Sequence, residues 1–110
     1  MNLLYAAFLR EDSGQKGVIK KIKNQCESFR KEIDDVFLYI SRSSESILYK
    51  LQYGEFIEMQ NFKYRVPAYD GYNKIRKLGN YFAYNSFLKS LKYVIEVYNI
   101  DILYYRLSPP

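Results

Sequence analysis

Leu3 to Leu9 is a continuous apolar run that no charge interrupts until Arg10. An unbroken run of this length, without alternation, predicts a strand covered on both faces. A polar loop, Arg10 to Gly17, follows. Val18, Ile19, Ile22, Cys26, Phe29 and Ile33 then recur at steps of three and four, with Lys20, Lys21, Lys23, Asn24, Glu27, Arg30 and Lys31 between them. That period predicts an amphipathic helix reaching about Ile33. After Asp34-Asp35, the apolar run Val36 to Ile40 predicts a second buried strand. A right-handed crossover would set it parallel to the first.

Ser41 to Ser46 reads as a polar turn. Ile47 to Gln52 and Glu55 to Gln60 alternate apolar and polar residues around Tyr53-Gly54, which predicts an antiparallel hairpin. Asn61 to Asn80 is aromatic, basic and punctuated by Pro67, Gly71 and Gly79, so it reads as a loop turning helical near Tyr72. Tyr84, Leu88, Leu91, Ile95 and Tyr98, joined by Phe87 and Val94, predict a helix from about Tyr81 to Tyr98. Ile102 to Tyr105 predicts a last buried strand, ending in Arg106. The order β–α–β–hairpin–α–β implies an α/β fold: a Rossmann-like, mainly parallel sheet flanked by helices, with a β-hairpin insertion. Ligands of such sheets bind beyond the carboxyl ends of the strands. Three segments fall there: the loop after Leu9, Ser41-Arg42, and Arg106 to Ser108.

At 110 residues the chain is one domain at most. A net charge of +5 favours anionic partners, whether nucleic acid, nucleotide phosphates or an acidic membrane surface. A solvated lysine-rich surface explains the same charge. Cys26 is the only cysteine, so no intrachain disulfide forms and a reducing cytoplasm fits best. No apolar stretch approaches the roughly 20 residues of a membrane span. The sequence holds no histidine, which removes the commonest general base and the commonest zinc ligand together. No metal and no cofactor is therefore expected. The tyrosines in apolar runs, among them Tyr39, Tyr49, Tyr93, Tyr98, Tyr104 and Tyr105, read as core or rim packing.

The loop after the first strand carries the sharpest candidate chemistry. Gly14 and Gly17 would permit close backbone approach, Ser13 and Lys16 would add a hydroxyl and a charge, and the helix start would offer unpaired N–H groups to a phosphate. Their spacing matches neither the dinucleotide fingerprint nor the P-loop, and a plain chain-reversing turn reads equally well. Arg106, ending a strand, could reach a phosphate or carboxylate bidentately, or simply cap the sheet. Arg10 follows the same logic. Glu11 and Asp12 could serve as a base or a hydroxyl-binding carboxylate, though two acids in a loop read more simply as solvated. Tyr69 and Tyr72, beside Asp70, would suit stacking on a sugar ring or packing of their loop on the sheet. No residue is assigned a catalytic role.

With these segments placed, Asn2-Leu-Leu-Tyr-Ala-Ala7, Ser13-Gly-Gln-Lys-Gly17, Lys20 to Gln25 with Phe29, and Asp101-Ile-Leu-Tyr-Tyr-Arg106 together resemble the N-terminal part of a family-4 retaining glycosyltransferase of the GT-B fold. The resemblance implies a partial N-terminal domain over residues 1–110, with its remaining strands and a C-terminal domain lying beyond Pro110. It implies transfer of a sugar from a nucleotide-diphosphate donor to a saccharide or lipid-linked acceptor in polysaccharide biosynthesis, the chain alone being inactive. Ser13, Gly14, Lys16 and Gly17 would then face the donor diphosphate or the acceptor, and Arg10 and Arg106 the acceptor side. The enzyme would be cytoplasmic, with peripheral contact at the inner face of the membrane and no specific nucleic acid. The rival reading is a small basic α/β module that binds nucleic acid or protein.

Overall fold

A computed structural model describes residues 1–9, 15–42, 45–63 and 73–106. In chain order the elements are β1 (Asn2–Leu9), α1 (Gln15–Arg30), β2 (Asp35–Arg42), β3 (Glu45–Gln52), β4 (Glu55–Lys63), α2 (Asn73–Val97) and β5 (Ile102–Arg106). They form one five-stranded sheet ordered β4-β3-β2-β1-β5. β1 runs parallel to β2 and to β5, while β2–β3 and β3–β4 are antiparallel.

The sheet is thus mixed rather than mainly parallel, which corrects the Rossmann-like expectation. The reason lies in loop length. Only residues 43 and 44 separate β2 from β3, and a parallel return needs a crossover of a dozen residues or more. The second strand must therefore turn back on itself, and the hairpin is an integral extension of the sheet, not an insertion.

Two cores form because β1 and β2 bury both of their faces. Leu3, Tyr5, Ala7, Val36, Leu38 and Ile40 meet Ile22 and Cys26 of α1. Leu4, Ala6, Phe37, Tyr39 and Leu48 meet Phe87, Leu91 and Val94 of α2 on the opposite side. Along each strand alternate residues feed opposite cores, as the pleat requires. α1 presents the three-and-four stripe read from the sequence. The β3–β4 turn has Tyr53 at φ 54° and Gly54 at φ 76°, the pair of positive φ angles that a two-residue type I′ hairpin needs.

α2 begins at Asn73, earlier than its apolar period suggested, and continues past Gly79. Its far end closes in a Schellman arrangement. Asn99 takes a left-handed φ of 52°, and the Ile100 N–H donates to the Ile95 carbonyl at 3.1 Å, satisfying a carbonyl the helix end would leave unpaired.

Candidate functional site

α1 follows the carboxyl end of β1 over one face of the sheet, whereas α2 covers the other face and joins β5 at its amino end. Open α/β sheets bind ligands beyond the carboxyl ends of their strands. Arg106 lies there, in register with Ala7. Its guanidinium is close enough to the Tyr5 hydroxyl to favour the ionised form, which partly offsets the burial that pushes Tyr5 above its ordinary range. The same hydroxyl donates to Oε1 of Gln25 at 2.6 Å.

On the other face, rings fill the same end. Phe8 meets Tyr84 edge-on with centroids 5.2 Å apart, and the Tyr105 hydroxyl donates to that of Tyr84 at 3.0 Å. Burial raises the Tyr105 hydroxyl well above its ordinary range, and the Tyr84 contact adds to the shift.

Of the loop residues, Gly17 lies within α1 and not in the loop. A Cβ there would meet nothing within 4 Å, so no close approach requires glycine at that position. Lys16 belongs to the first turn of α1. Arg10, Ser13, Gly14, Tyr69 and Tyr72 lie outside the described residues.

The Asp101-x-x-Tyr-x-Arg segment has a structural purpose that sequence reading missed. Asp101 sits at the amino end of β5, where its Oδ2 accepts the Asn2 N–H at 2.8 Å and its own N–H donates to the Asn2 carbonyl at 2.9 Å. Asn2 Nδ2 in turn donates to the carbonyls of Tyr98 and Asn99 at 3.0 and 3.2 Å. One asparagine thereby joins the starts of β1 and β5 to the end of α2.

Cys26 is fully buried beneath α1, and that burial pushes its thiol up to about 12. A thiol, not a thiolate, is present at neutral pH, so it is not an activated nucleophile. Among the described residues no group of three His, Cys, Asp or Glu side chains is placed to hold a metal ion. Beside α1, Ile19, Lys23, Ile40, Glu45, Ile47 and Tyr49 line a shallow cavity of about 210 Å³. A neighbouring groove shares Ile19 and Lys23, and the Lys23 ammonium stands 5.4 Å over the Phe56 ring.

The two sheet edges differ. β4 exposes Ile57 and Met59 but intersperses Glu55, Glu58 and Lys63, and a bulge distorts its pairing at Leu48/Tyr49. Charges and bulges of this kind discourage further strand pairing. β5 has neither until Arg106. Ile102, Leu103 and Tyr104 stand 37, 44 and 41% exposed on it, in a strand whose parallel pairing normally belongs to a sheet interior.

No protein-family model matches the chain, and comparison with curated proteins finds no match. Among solved structures, the fold is similar to a clostripain from Bacteroides thetaiotaomicron ATCC 29148 in complex with a peptide inhibitor. The TM-score is 0.54 at 9% identity, over 100% of this chain and 90% of that one. A B. fragilis cysteine protease aligns over 99% of this chain and 87% of that one, at 14% identity and a TM-score of 0.47.

The likeness to the clostripain overturns the glycosyltransferase resemblance, and with it the nucleotide-sugar donor, the saccharide or lipid-linked acceptor and the polysaccharide-biosynthesis role. The short segments behind that resemblance are ones any α/β domain with this element order can carry: a strand, a glycine-bearing turn and a strand-ending arginine. The nucleic-acid reading gains no support either. Peripheral membrane contact through α1 is unsupported, because Ile22 is buried and Val18 and Ile19 pack on the core. Among the described residues no helix is long and apolar enough to cross a membrane. At 9% identity the likeness to the clostripain is one of fold: a mixed, five-stranded α/β sheet with a helix on each side.

Proposed function

We propose that this chain is a polypeptide-binding α/β unit on a cysteine-peptidase-like fold, and that it acts by receiving an extended strand of polypeptide along β5. The observation that carries this reading is the unguarded edge: Ile102, Leu103 and Tyr104, apolar on both faces and exposed, without an intervening charge. Main-chain groups along such an edge supply affinity, and alternate side chains supply selectivity. The fold likeness to a protease solved with a peptide inhibitor supports polypeptide as the ligand class. Cleavage by a Cys–His pair is not a property of these 110 residues, which contain no histidine and bury their one cysteine. A base and a nucleophile would have to come from elsewhere.

The test is amide hydrogen exchange on dilute protein with and without a synthetic octapeptide of alternating valine and threonine. Slowed exchange confined to the outward-pointing amides of Ile102 to Arg106 is the expected result. Unchanged exchange at these amides under excess peptide would overturn the reading.

A further inference from the structure

We infer that the strand received by β5 is β5 of a second copy of this chain, paired antiparallel about a two-fold axis at Leu103. This rests on the reading that β5 accepts a strand, and it names the occupant. Two independent features point to the same partner.

The first is closure. Extending the sheet with an unrelated strand would leave that strand's own outer edge open. Among the described strands, two copies joined through β5 leave only their β4 edges at the ends of a ten-stranded sheet. Those edges carry Glu55, Glu58, Lys63 and the bulge. An isologous contact of this kind is finite and does not propagate.

The second feature is self-complementarity. A two-fold axis normal to the sheet keeps each face on its own side, so only residues of one face can oppose each other. Ile102 and Tyr104 share the α1 face with their register partners Leu3 and Tyr5, whereas Leu103 pairs with Leu4 and shares the α2 face. With the axis at Leu103, Ile102 of each copy opposes Tyr104 of the other, an aliphatic–aromatic pair of the kind that stabilises sheets. Leu103 opposes its own copy. The three exposed apolar residues are therefore covered together.

A five-residue edge is small against a standard protein interface, so the dimer should form in the micromolar range and above. Light scattering of the whole chain, from roughly 5 to 500 µM, should show mass rising from 13.2 kDa towards twice that value. Leu103→Lys places like charges on the axis and removes the covered leucine, and should weaken dimerisation by at least about tenfold. Circular dichroism would show the fold retained, since the position is exposed.

Leu103→Cys should cross-link to itself on mild oxidation, because directly opposed strand residues lie within disulfide reach. Tyr104→Cys, which opposes Ile102, should cross-link far less. A monomer at every concentration, or equal cross-linking of the two cysteine variants, would overturn the inference. If the octapeptide still protects β5 in a monomeric chain, only the second copy is lost as occupant. If neither peptide nor copy protects it, strand acceptance fails as well.

Discussion

The hydroxyl of Tyr5, in the middle of β1, donates a 2.6 Å hydrogen bond to Oε1 of Gln25 on α1. The ring beneath it is buried and packs at 4.7 Å on Tyr104 of the edge strand. One side chain thus joins the central strand, its covering helix and the open edge. Gln25 is exposed, so its carbonyl rehydrates if the hydroxyl is lost. Tyr5→Phe should therefore cost only about 0.5–1.5 kcal/mol. A denaturant midpoint shifted down by that amount, with an unchanged slope, is the expected result.

Alkaline pH should destabilise the fold through Cys26. The thiol of the unfolded chain ionises near 9.0, whereas burial holds the folded thiol to about 12. The contribution is complete below pH 9 and is lost as pH rises towards 12, at up to about 1.4 kcal/mol per pH unit. Tyr5, raised from 10.0, adds a loss of the same sign above pH 10. Urea midpoints measured at pH 8, 9.5 and 11 should fall progressively. Cys26→Ala should flatten the fall between pH 9 and 10, and an identical slope in that variant would reject the assignment.

Burial also predicts that Cys26 resists alkylation in the native protein. Iodoacetamide at pH 8 should modify it only under denaturing conditions, as followed by mass spectrometry. Rapid modification of the folded chain would mean that α1 lifts from the sheet on that timescale.

Phe87 anchors the other core. It stacks on Tyr39 at 5.2 Å and 12° and lies 5.5 Å from Phe8, while the Tyr39 hydroxyl bonds Ser90 Oγ one turn along α2. Phe87→Ala should cost about 3–5 kcal/mol, a large part of the roughly 5–15 kcal/mol that holds a domain together. Phe87→Leu keeps most of the volume and should cost less. Chemical unfolding of the two variants would show that order.

The β3–β4 turn leaves room for improvement. Tyr53 is 96% exposed and holds a positive φ without gaining any packing from it. Tyr53→Asn installs the residue that type I′ turns prefer and should stabilise by about 0.5–1 kcal/mol. Gly54→Ala meets open space but keeps φ at 76°, and should destabilise by about 1 kcal/mol. Thermal unfolding should place the variants on opposite sides of the parent.

Much of the secondary structure was legible along the chain. The unbroken runs 3–9 and 36–40 fall on β1 and β2, whose described residues bury both faces, the three-and-four stripe from Val18 to Ile33 lies on α1 or just past its end, and Tyr53-Gly54 turns the hairpin. Boundaries were less legible. Gly79 reads as a break, yet α2 runs through it, because an isolated glycine costs a helix only about 1 kcal/mol. Gly17 reads as loop and is helix. The family resemblance failed for a related reason: its segments are short and generic, and Asp101, which looked like part of a motif, serves to hold the start of β5 against Asn2.

Periodicity is a property of neighbours in sequence, and it was sufficient for the elements, their apolar faces and the tight turn at Tyr53-Gly54. Partnership between elements is set by residues far apart in the chain. Asn2 and Asp101, 99 positions apart, bring the last strand beside the first, and the two-residue gap after β2 sends the hairpin to the opposite side. From that arrangement alone follow the mixed sheet and the exposure of a strand that its composition describes as buried. Local sequence cannot show which strand lies at an edge, because an edge is defined by the neighbour that is not there.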